Sequence, residues 1–214
     1  QPRSVLVVGA GPAGLEAARV AAERGHKVTV FEAASEAGGQ VRLIAQTKRR
    51  AEMIGITDWR MAQCAALGVE FRFNTWAEAE DVTALNPDVV IIATGGMPEK
   101  DILEFGNDLT VTSWDILSGD VKPGQNVLLY DDAGDHTALQ AAQTLAEAGA
   151  TVEVMTPDRS FAPEAPEVQA LKARLQALQS LDLNPHLPSL APCLDLLPAV
   201  HAEAAAKSRA PAAN

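Results

Sequence analysis

Three closely spaced glycines are the residues of this sequence best suited to chemistry. Gly9, Gly11 and Gly14 lie in the stretch GAGPAG, directly after the apolar run SVLVV. Between a strand and a helix, the first glycine allows a tight bend, the second leaves room for a pyrophosphate, and the third lets the helix pack closely on the sheet. The amide groups and the dipole at the helix start favour negative charge there. The spacing predicts a site for a nucleotide diphosphate.

An acidic residue further along the chain fits the same ligand. Glu32 ends the stretch KVTVFE, 21 positions after Gly11, and a carboxylate there accepts hydrogen bonds from both hydroxyls of an adenosine ribose. The same carboxylate would repel a 2′-phosphate, so NADP-type ligands should be rejected. A glycine turn without a ligand is the alternative, but strand, turn, helix, second strand and terminal acid all agree with the binding site.

Apolar runs and helical patterns around these residues predict the elements that position them. A strand over 4–9, a helix over 12–24 and a strand over 27–32 form a βαβ unit, whose crossover should be right-handed. The next elements predicted are a helix over 48–67 and strands over 68–73 and 88–93. A second βαβ pattern follows, with a strand over 126–130, a helix over 137–147 and a strand over 151–155.

Two further glycine pairs lie where they could approach the nucleotide. Gly38, Gly39 and Gln40 follow Glu32 and could fold back over the ligand, although Gly-Gly is equally typical of an ordinary turn. Thr94 and Gly95 follow the strand predicted over 88–93, and ligands bind outside the carboxyl ends of such strands. The second segment could approach the pyrophosphate or simply link the two halves.

The second βαβ pattern has carboxylates where the first has glycines. Asp131 takes the place of the first glycine, and Asp132 and Asp135 follow it. A pyrophosphate there would be repelled by about 4 kcal/mol per close charge pair at an effective dielectric constant near 20, more than the ~2 kcal/mol that a helix dipole offers. We expect this turn not to bind NAD(H). A Mg²⁺ site is the alternative, but Asp135 is more simply the N-cap of the next helix.

Composition limits the classes of function. The chain has 214 residues, 47% of them hydrophobic, and a formal net charge of -11, which disfavours nucleic acid and anionic membranes as partners. No apolar stretch approaches the roughly 20 residues of a membrane span, and no leader precedes the first strand, so a cytoplasmic location is expected. Two cysteines and four scattered histidines predict no metal site, and Cys64 is expected to be a buried hydrophobic residue rather than a reactive thiol.

The set of motifs resembles one family of flavoenzymes. The βαβ turn, the GGQ loop, the ATGG strand end and the degenerate second fold look like the C-terminal part of the enzymes that include trimethylamine dehydrogenase and 2,4-dienoyl-CoA reductase. The stretches GGQVRLIAQTKRRAEMIGITDWR and VLLYDDAGDHTALQAAQTLAEAGATVEVMTPDRSFAPE look closest to its N-methylproline (stachydrine) and dimethylglycine demethylase branch. The resemblance covers about residues 4–164.

This resemblance implies a fold and a division into domains. The fold class is α/β, with Rossmann-like dinucleotide-binding βαβ units of the FAD/NAD(P)-binding type in tandem, the second one degenerate. Residues 1–96 would form an incomplete FAD- or ADP-binding domain and residues 97–160 a degenerate NAD(P)-type domain. Residues 161–214 depart from the family pattern. The leucine spacing there predicts a helix with Leu171, Leu175, Leu178 and Leu181 on one face, and the composition predicts a disordered Pro- and Ala-rich tail.

The resemblance also implies cofactors and partners. The first domain would bind FAD or ADP, whereas FMN and a 4Fe-4S cluster belong to a part of the family architecture that this chain lacks, which suggests a fragment or a truncated relative. An FMN-barrel domain or subunit and an electron-transfer partner are the macromolecular partners implied. The predicted cofactor-binding residues are Gly9, Gly11, Pro12, Ala13, Gly14, Glu32, Ala33, Gly39, Gln40, Thr94 and Gly95.

Three functions remain open on the sequence. The chain is expected to be the nucleotide-binding portion of a flavin-dependent amine dehydrogenase or N-demethylase, related to NADH:flavin oxidoreductases, with no catalytic residue of its own and no activity alone. The first alternative is a non-catalytic nucleotide-binding or docking module, in which bound ADP only stabilises the fold. The second is an NAD-dependent dehydrogenase, which the lack of a catalytic His or Tyr-Lys arrangement disfavours.

Overall fold

The computed structural model describes residues 1–101, 103–158 and 161–165. Within it the chain forms two compact units, of which the first is Gln1–Thr110 and the second begins at Val111. The first unit extends past residue 96, where the sequence places a domain boundary. The predicted leucine-faced helix and the predicted disordered tail lie outside the described residues.

A parallel sheet forms the centre of the first unit. Its strands are β1 (Ser4–Val8), β2 (Lys27–Phe31), β3 (Glu70–Arg72) and β4 (Val89–Ile92), in the order β3-β2-β1-β4. Because every pair is parallel, the carboxyl ends of all four strands meet at one edge of the sheet. The predicted strands are confirmed, each shortened by one to three residues.

Helices cover both faces of this sheet. They are α1 (Pro12–Glu23), α2 (Gln40–Ala45), α3 (Gly55–Ala66) and α4 (Ala79–Leu85). Leu15 of α1 and Cys64 of α3 are completely buried in one core cluster with Val30, and the opposite face packs against Val82 and Leu85 of α4. The expectation that Cys64 is a buried residue is confirmed, and burial raises the pKa of its thiol.

The single helix predicted over 48–67 is wrong. A 3₁₀ helix over Lys48–Ile54 precedes α3, and the backbone of Arg50, with φ of -127° and ψ of 18°, is not helical. Charged and apolar residues over 48–67 fit a helical period throughout, so the pattern alone did not reveal the break. Two short α-helices of the first unit, α2 and α4, were also not predicted.

The second unit contains the predicted βαβ motif. β5 (Asn126–Tyr130) and β6 (Thr151–Met155) are parallel and joined by α6 (His136–Glu147), and α5 (Ser113–Ser118) precedes them. Leu145 of α6 packs with Val152 of β6 and Ile116 of α5 in one core. The predicted α/β fold, with two βαβ motifs in tandem, is therefore confirmed.

No helix within the described ranges is both long and apolar enough to cross a membrane.

Candidate nucleotide site

The glycine turn connects β1 to α1 and leaves no space for side chains at its two ends. The amide of Gly9 donates a 2.7 Å hydrogen bond to the carbonyl of Phe31 at the end of β2. Gly9 has a φ of 103°, and a Cβ there would collide with the carbonyl oxygen of Ala93, just after β4. A Cβ on Gly14 would collide with the carbonyl oxygen of Gly9. Both glycines are required for the close packing of β1, α1 and the end of β4.

Gly11 differs from these two glycines because it faces open space. A Cβ on Gly11 would have no heavy atom within 4 Å outside its chain neighbours, and its φ of -69° and ψ of 177° are accessible to any residue. Gly11 is the N-cap of α1, Pro12 is the first helical residue, and no side chain caps the helix. The start of α1 therefore offers main-chain amides to a ligand, with room for it beside Gly11.

The Glu32 carboxylate accepts hydrogen bonds from one main-chain amide of this turn and from one just after β2. Its Oε2 accepts a 2.6 Å hydrogen bond from the amide of Ala10, and its Oε1 accepts a 2.8 Å bond from the amide of Ala34. A carboxylate has about four acceptor positions, so each oxygen retains a lone pair for a ribose hydroxyl. These two hydrogen bonds hold the carboxylate beside the glycine turn. The sequence pattern did not indicate them.

The Gly38-Gly39 loop folds back onto the glycine turn. The amide of Gly38 donates a 2.8 Å hydrogen bond to the carbonyl of Ala10, and a Cβ on Gly39 would lie 3.4 Å from the Cα of Gly11. The loop therefore packs against the glycine turn, and its contact with a nucleotide stays a prediction. Gln40 is exposed and begins α2.

The remaining predicted residues surround the same edge of the sheet. Thr94 lies against the turn, because a Cβ on Gly9 would be 3.1 Å from the Cα of Thr94. Gly95 is exposed, with a φ of 74°, and Ala33 is exposed next to Glu32. The carboxyl ends of β1, β2 and β4 thus bring the predicted set together.

The arrangement is suited to binding rather than to proton transfer. Glu32 is the sole ionisable side chain of the predicted set, and each of its oxygens accepts one hydrogen bond from a main-chain amide. Across the described ranges, no group of three or more His, Cys, Asp or Glu residues is placed to hold a metal ion. The site therefore offers amides for a diphosphate and one carboxylate for hydroxyl groups.

Two residues that the sequence did not single out support the Gly38-Gly39 loop. Arg42 forms an ion pair with Glu36 and donates a 3.3 Å hydrogen bond to the carbonyl of Ala37. Thr57, in the first turn of α3, lies against Gly38. Arg42 follows the loop closely in the sequence, which is a weak signal for its contacts with Glu36 and Ala37. No local pattern links Thr57 to the loop.

The acidic turn of the second unit shares one main-chain hydrogen bond with the glycine turn, although Asp131 lacks the positive φ of Gly9. The amide of Asp131 donates a 2.8 Å hydrogen bond to the carbonyl of Met155 at the end of β6, as Gly9 does to Phe31 at the end of β2. The prediction that Asp131 takes the place of the first glycine is therefore confirmed by its position in the βαβ motif.

The side chain of Asp131 lies inside the turn and not on its surface. It is 1% exposed, and it accepts hydrogen bonds from the amide of Gly134 at 2.9 Å and from the amide of Ala162 at 3.0 Å. The amide of Glu164 in turn bonds to the carbonyl of Gly134 at 2.8 Å. The chain over 161–165 is therefore fastened to the turn through the Asp131 carboxylate and the Gly134 carbonyl.

This geometry corrects the picture of three carboxylates aimed at a ligand. Asp131 is turned inward, and Asp135 caps α6 by accepting a 2.7 Å hydrogen bond from the amide of Thr137, as predicted. Asp132 alone is exposed. Two of the three carboxylates are thus engaged in main-chain hydrogen bonds, and repulsion of a phosphate by Asp132 stays a prediction.

An apolar groove of about 580 Å³ in the first unit lies apart from the glycine turn. It runs between α1 and the strands β1 and β4, with Ala17, Val20 and Ile91 among its lining residues. Of the predicted set it includes Ala13 alone, so it is not the space beside Gly11.

Comparison with known proteins relates this site to oxidoreductases. A family model described as an NAD(P)-binding Rossmann-like domain matches residues 7–57, which include the glycine turn, Glu32 and the Gly38-Gly39 loop. The chain is 67% identical over 182 residues to a probable N-methylproline demethylase of Rhizobium meliloti (strain 1021), covering 85% of this chain and 27% of the relative. It is 48% identical to the N,N-dimethylglycine/sarcosine dehydrogenase of Chromohalobacter salexigens, covering 73% of this chain and 24% of the relative.

Solved structures give the same relationship. The 2-naphthoyl-CoA reductase structure superposes with a TM-score of 0.73 at 35% identity, over 84% of this chain and 27% of that chain. The chain thus spans about a quarter of the length of the proteins it matches. These matches confirm the Rossmann-like fold, the relationship to oxidoreductases and the resemblance to the demethylase branch.

Proposed function

We propose that this relative of the demethylase flavoenzymes is the portion that binds FAD or ADP in a flavin-dependent amine dehydrogenase or N-demethylase. The observation that supports this most strongly is the open space beside Gly11, next to the uncapped start of α1. Because Gly11 has no Cβ in that space, a ligand can come into direct contact with the backbone there. A diphosphate is such a ligand, because main-chain amides and the helix dipole favour its negative charge.

Each part of an ADP moiety has residues that fit it. The diphosphate would lie beside Gly11, against the amides of Ala13 and Gly14 at the start of α1. The ribose hydroxyls would donate to Glu32, whose carboxylate is already oriented by the amides of Ala10 and Ala34. The Gly38-Gly39 loop would limit the access of water to the diphosphate from the side opposite α1.

The ligand, and not the protein side chains, would supply the redox chemistry. Bound FAD provides an electron carrier at its isoalloxazine ring, whereas this chain binds and orients the adenosine and diphosphate. Substrate oxidation would take place on an FMN-containing part of the relatives that the chain does not match. Two cysteines in the whole sequence cannot supply the four thiolates of a 4Fe-4S cluster, so such a cluster would also lie in that other part.

The second unit would not bind a dinucleotide. A phosphate that approached the main-chain amides of this turn would have to displace the Asp131 carboxylate, which bonds to the amides of Gly134 and Ala162. Displacing it would leave two buried amides unpaired and move a charge, and the exposed Asp132 would repel the phosphate in addition.

A colourless ADP-binding module is the second candidate function. The residues around the glycine turn would hold the ribose and the diphosphate, which ADP and FAD share. Mass spectrometry of the ligand released from purified protein, together with its absorbance spectrum, separates the two. FAD with a yellow protein supports the flavoenzyme portion, and ADP with a colourless protein supports the module. If neither FAD nor ADP bound in calorimetry, both candidates would be refuted.

A further inference from the structure

Thr57 places an unpaired hydroxyl group directly behind the Gly38-Gly39 loop. The residue is 2% exposed, and its Oγ1 has no hydrogen-bond partner among the residues that the structure describes. Buried hydroxyl groups are generally paired, and a helical threonine often bonds to the carbonyl one turn earlier. The unpaired Oγ1 therefore indicates a partner that the protein atoms do not supply in this arrangement.

Contacts place the loop between Thr57 and the glycine turn. A Cβ on Gly38 would lie 3.0 Å from Oγ1 and 3.2 Å from Cγ2 of Thr57. On the other side, the amide of Gly38 bonds to the carbonyl of Ala10, and Gly39 packs on Gly11. A small shift of the loop would therefore change its contact with Thr57 and its distance from a diphosphate beside Gly11 at the same time.

We propose that Thr57 is a positioning residue for the nucleotide, an inference that rests on the proposed function. When a diphosphate binds beside Gly11, the loop settles against it, and the Thr57 hydroxyl donates to the carbonyl of Gly38. That carbonyl already accepts a 3.1 Å bond from the amide of Val41 and has a second lone pair. The new hydrogen bond exists in the bound state alone, so it strengthens binding without stabilising the free protein.

Variants of Thr57 that remove or keep the hydroxyl group distinguish a role in nucleotide binding from a structural role. Thr57→Val keeps the shape of the side chain and removes an unpaired polar group, so the melting temperature without ligand should stay unchanged or rise. Its affinity for ADP, measured by calorimetry on the full chain, should fall about tenfold. Thr57→Ser keeps the hydroxyl and should bind ADP within about twofold of the wild type.

Thr47 provides the matched control. It is also buried, at 8% exposed, but its Oγ1 donates a 3.1 Å hydrogen bond to the carbonyl of Ile44. Thr47→Val should therefore lower the melting temperature without ligand, which Thr57→Val should not.

Three results would overturn the proposal. Equal ADP affinity of Thr57→Val and wild type would show that the hydroxyl takes no part in binding. A melting temperature without ligand that falls in Thr57→Val as it does in Thr47→Val would assign Thr57 a structural role. If the wild type bound neither ADP nor FAD, the proposed function would fail first and this inference with it.

Discussion

The carboxylate of Glu32 accepts a 2.6 Å hydrogen bond from the main-chain amide of Ala10, inside the glycine turn. This bond joins the end of β2 to the turn between β1 and α1, so the acid that would hold the ribose and the amides that would hold the diphosphate form one rigid assembly. A charged acceptor makes this bond stronger than one between neutral groups. The geometry of the site is thus largely set before any nucleotide binds.

Gly11→Val tests the diphosphate site without disturbing the fold. The Cβ would enter open space at an ordinary backbone conformation, and valine is a poorer N-cap than glycine, so the free energy of unfolding should fall by no more than about 1 kcal/mol. ADP affinity should fall about a hundredfold, because at least two charge-assisted hydrogen bonds are lost. Calorimetry and urea denaturation measure the two quantities.

Gly124→Val is the matched control for that variant. Gly124 is an exposed glycine of the second unit with similar space around it, and its substitution should leave ADP affinity unchanged. If Gly11→Val bound ADP as tightly as Gly124→Val does, the diphosphate would not lie beside Gly11.

Glu32→Ala should relax the choice of nucleotide. Without the carboxylate, a 2′-phosphate no longer meets a like charge, so the preference for ADP over 2′-phospho-ADP should fall at least about tenfold. The amides of Ala10 and Ala34 lose their acceptor as well, which should lower the free energy of unfolding by about 1–3 kcal/mol. Competition calorimetry with both nucleotides measures the preference, and an unaltered ratio would contradict the ribose role.

Asp131→Ala should destabilise the second unit. The substitution leaves the buried amides of Gly134 and Ala162 without an acceptor, at a cost of about 3 kcal/mol. Asp132→Ala is the control: that side chain is exposed, and its loss should change the free energy of unfolding by no more than about 0.5 kcal/mol. Urea denaturation compares them, and equal stability of the two variants would show that the Asp131 carboxylate does not fasten the turn.

Asp88 makes the stability of the first unit depend on pH. Its carboxylate accepts hydrogen bonds from the amide and the hydroxyl of Ser4 at 2.7 and 2.9 Å, and these bonds lower its pKa. Since the folded state holds the proton less tightly than the unfolded state, the contribution to stability is complete above about pH 4 and is lost as pH falls through the lowered pKa. Urea midpoints should therefore decline more steeply below about pH 4 for the wild type than for Asp88→Asn, and parallel curves would contradict this.

Local patterns predicted the parts of the fold that depend on local physics. The strands and helices of both βαβ motifs lie within a few residues of their expected positions, because buried parallel strands are continuous apolar runs and glycine or proline marks their ends. The helix α5 was missed although its capping pair, Thr112 and Asp115, is present in the sequence and is formed in the structure. The break at Arg50 has no comparable local signal.

The contacts that determine the geometry of the two turns were less predictable, because they join segments that are far apart in the sequence. Asp131 was correctly placed in the turn, but its inward orientation depends on the amide of Ala162, 31 residues later. Likewise, Gly38 was a candidate loop residue, whereas its contact with Thr57 follows from how α3 packs and from nothing in the spacing. The sequence thus indicated which residues matter in each turn, and the tertiary structure determined what they face.

Hydrogen exchange with and without ADP tests the central claim most directly, because it reports on both turns in one experiment. If the glycine turn binds the diphosphate and the acidic turn is closed by Asp131, saturating ADP should slow exchange over 9–15 and 38–42 and leave 131–138 unchanged. Slower exchange over 131–138, with none over 9–15, would contradict the account.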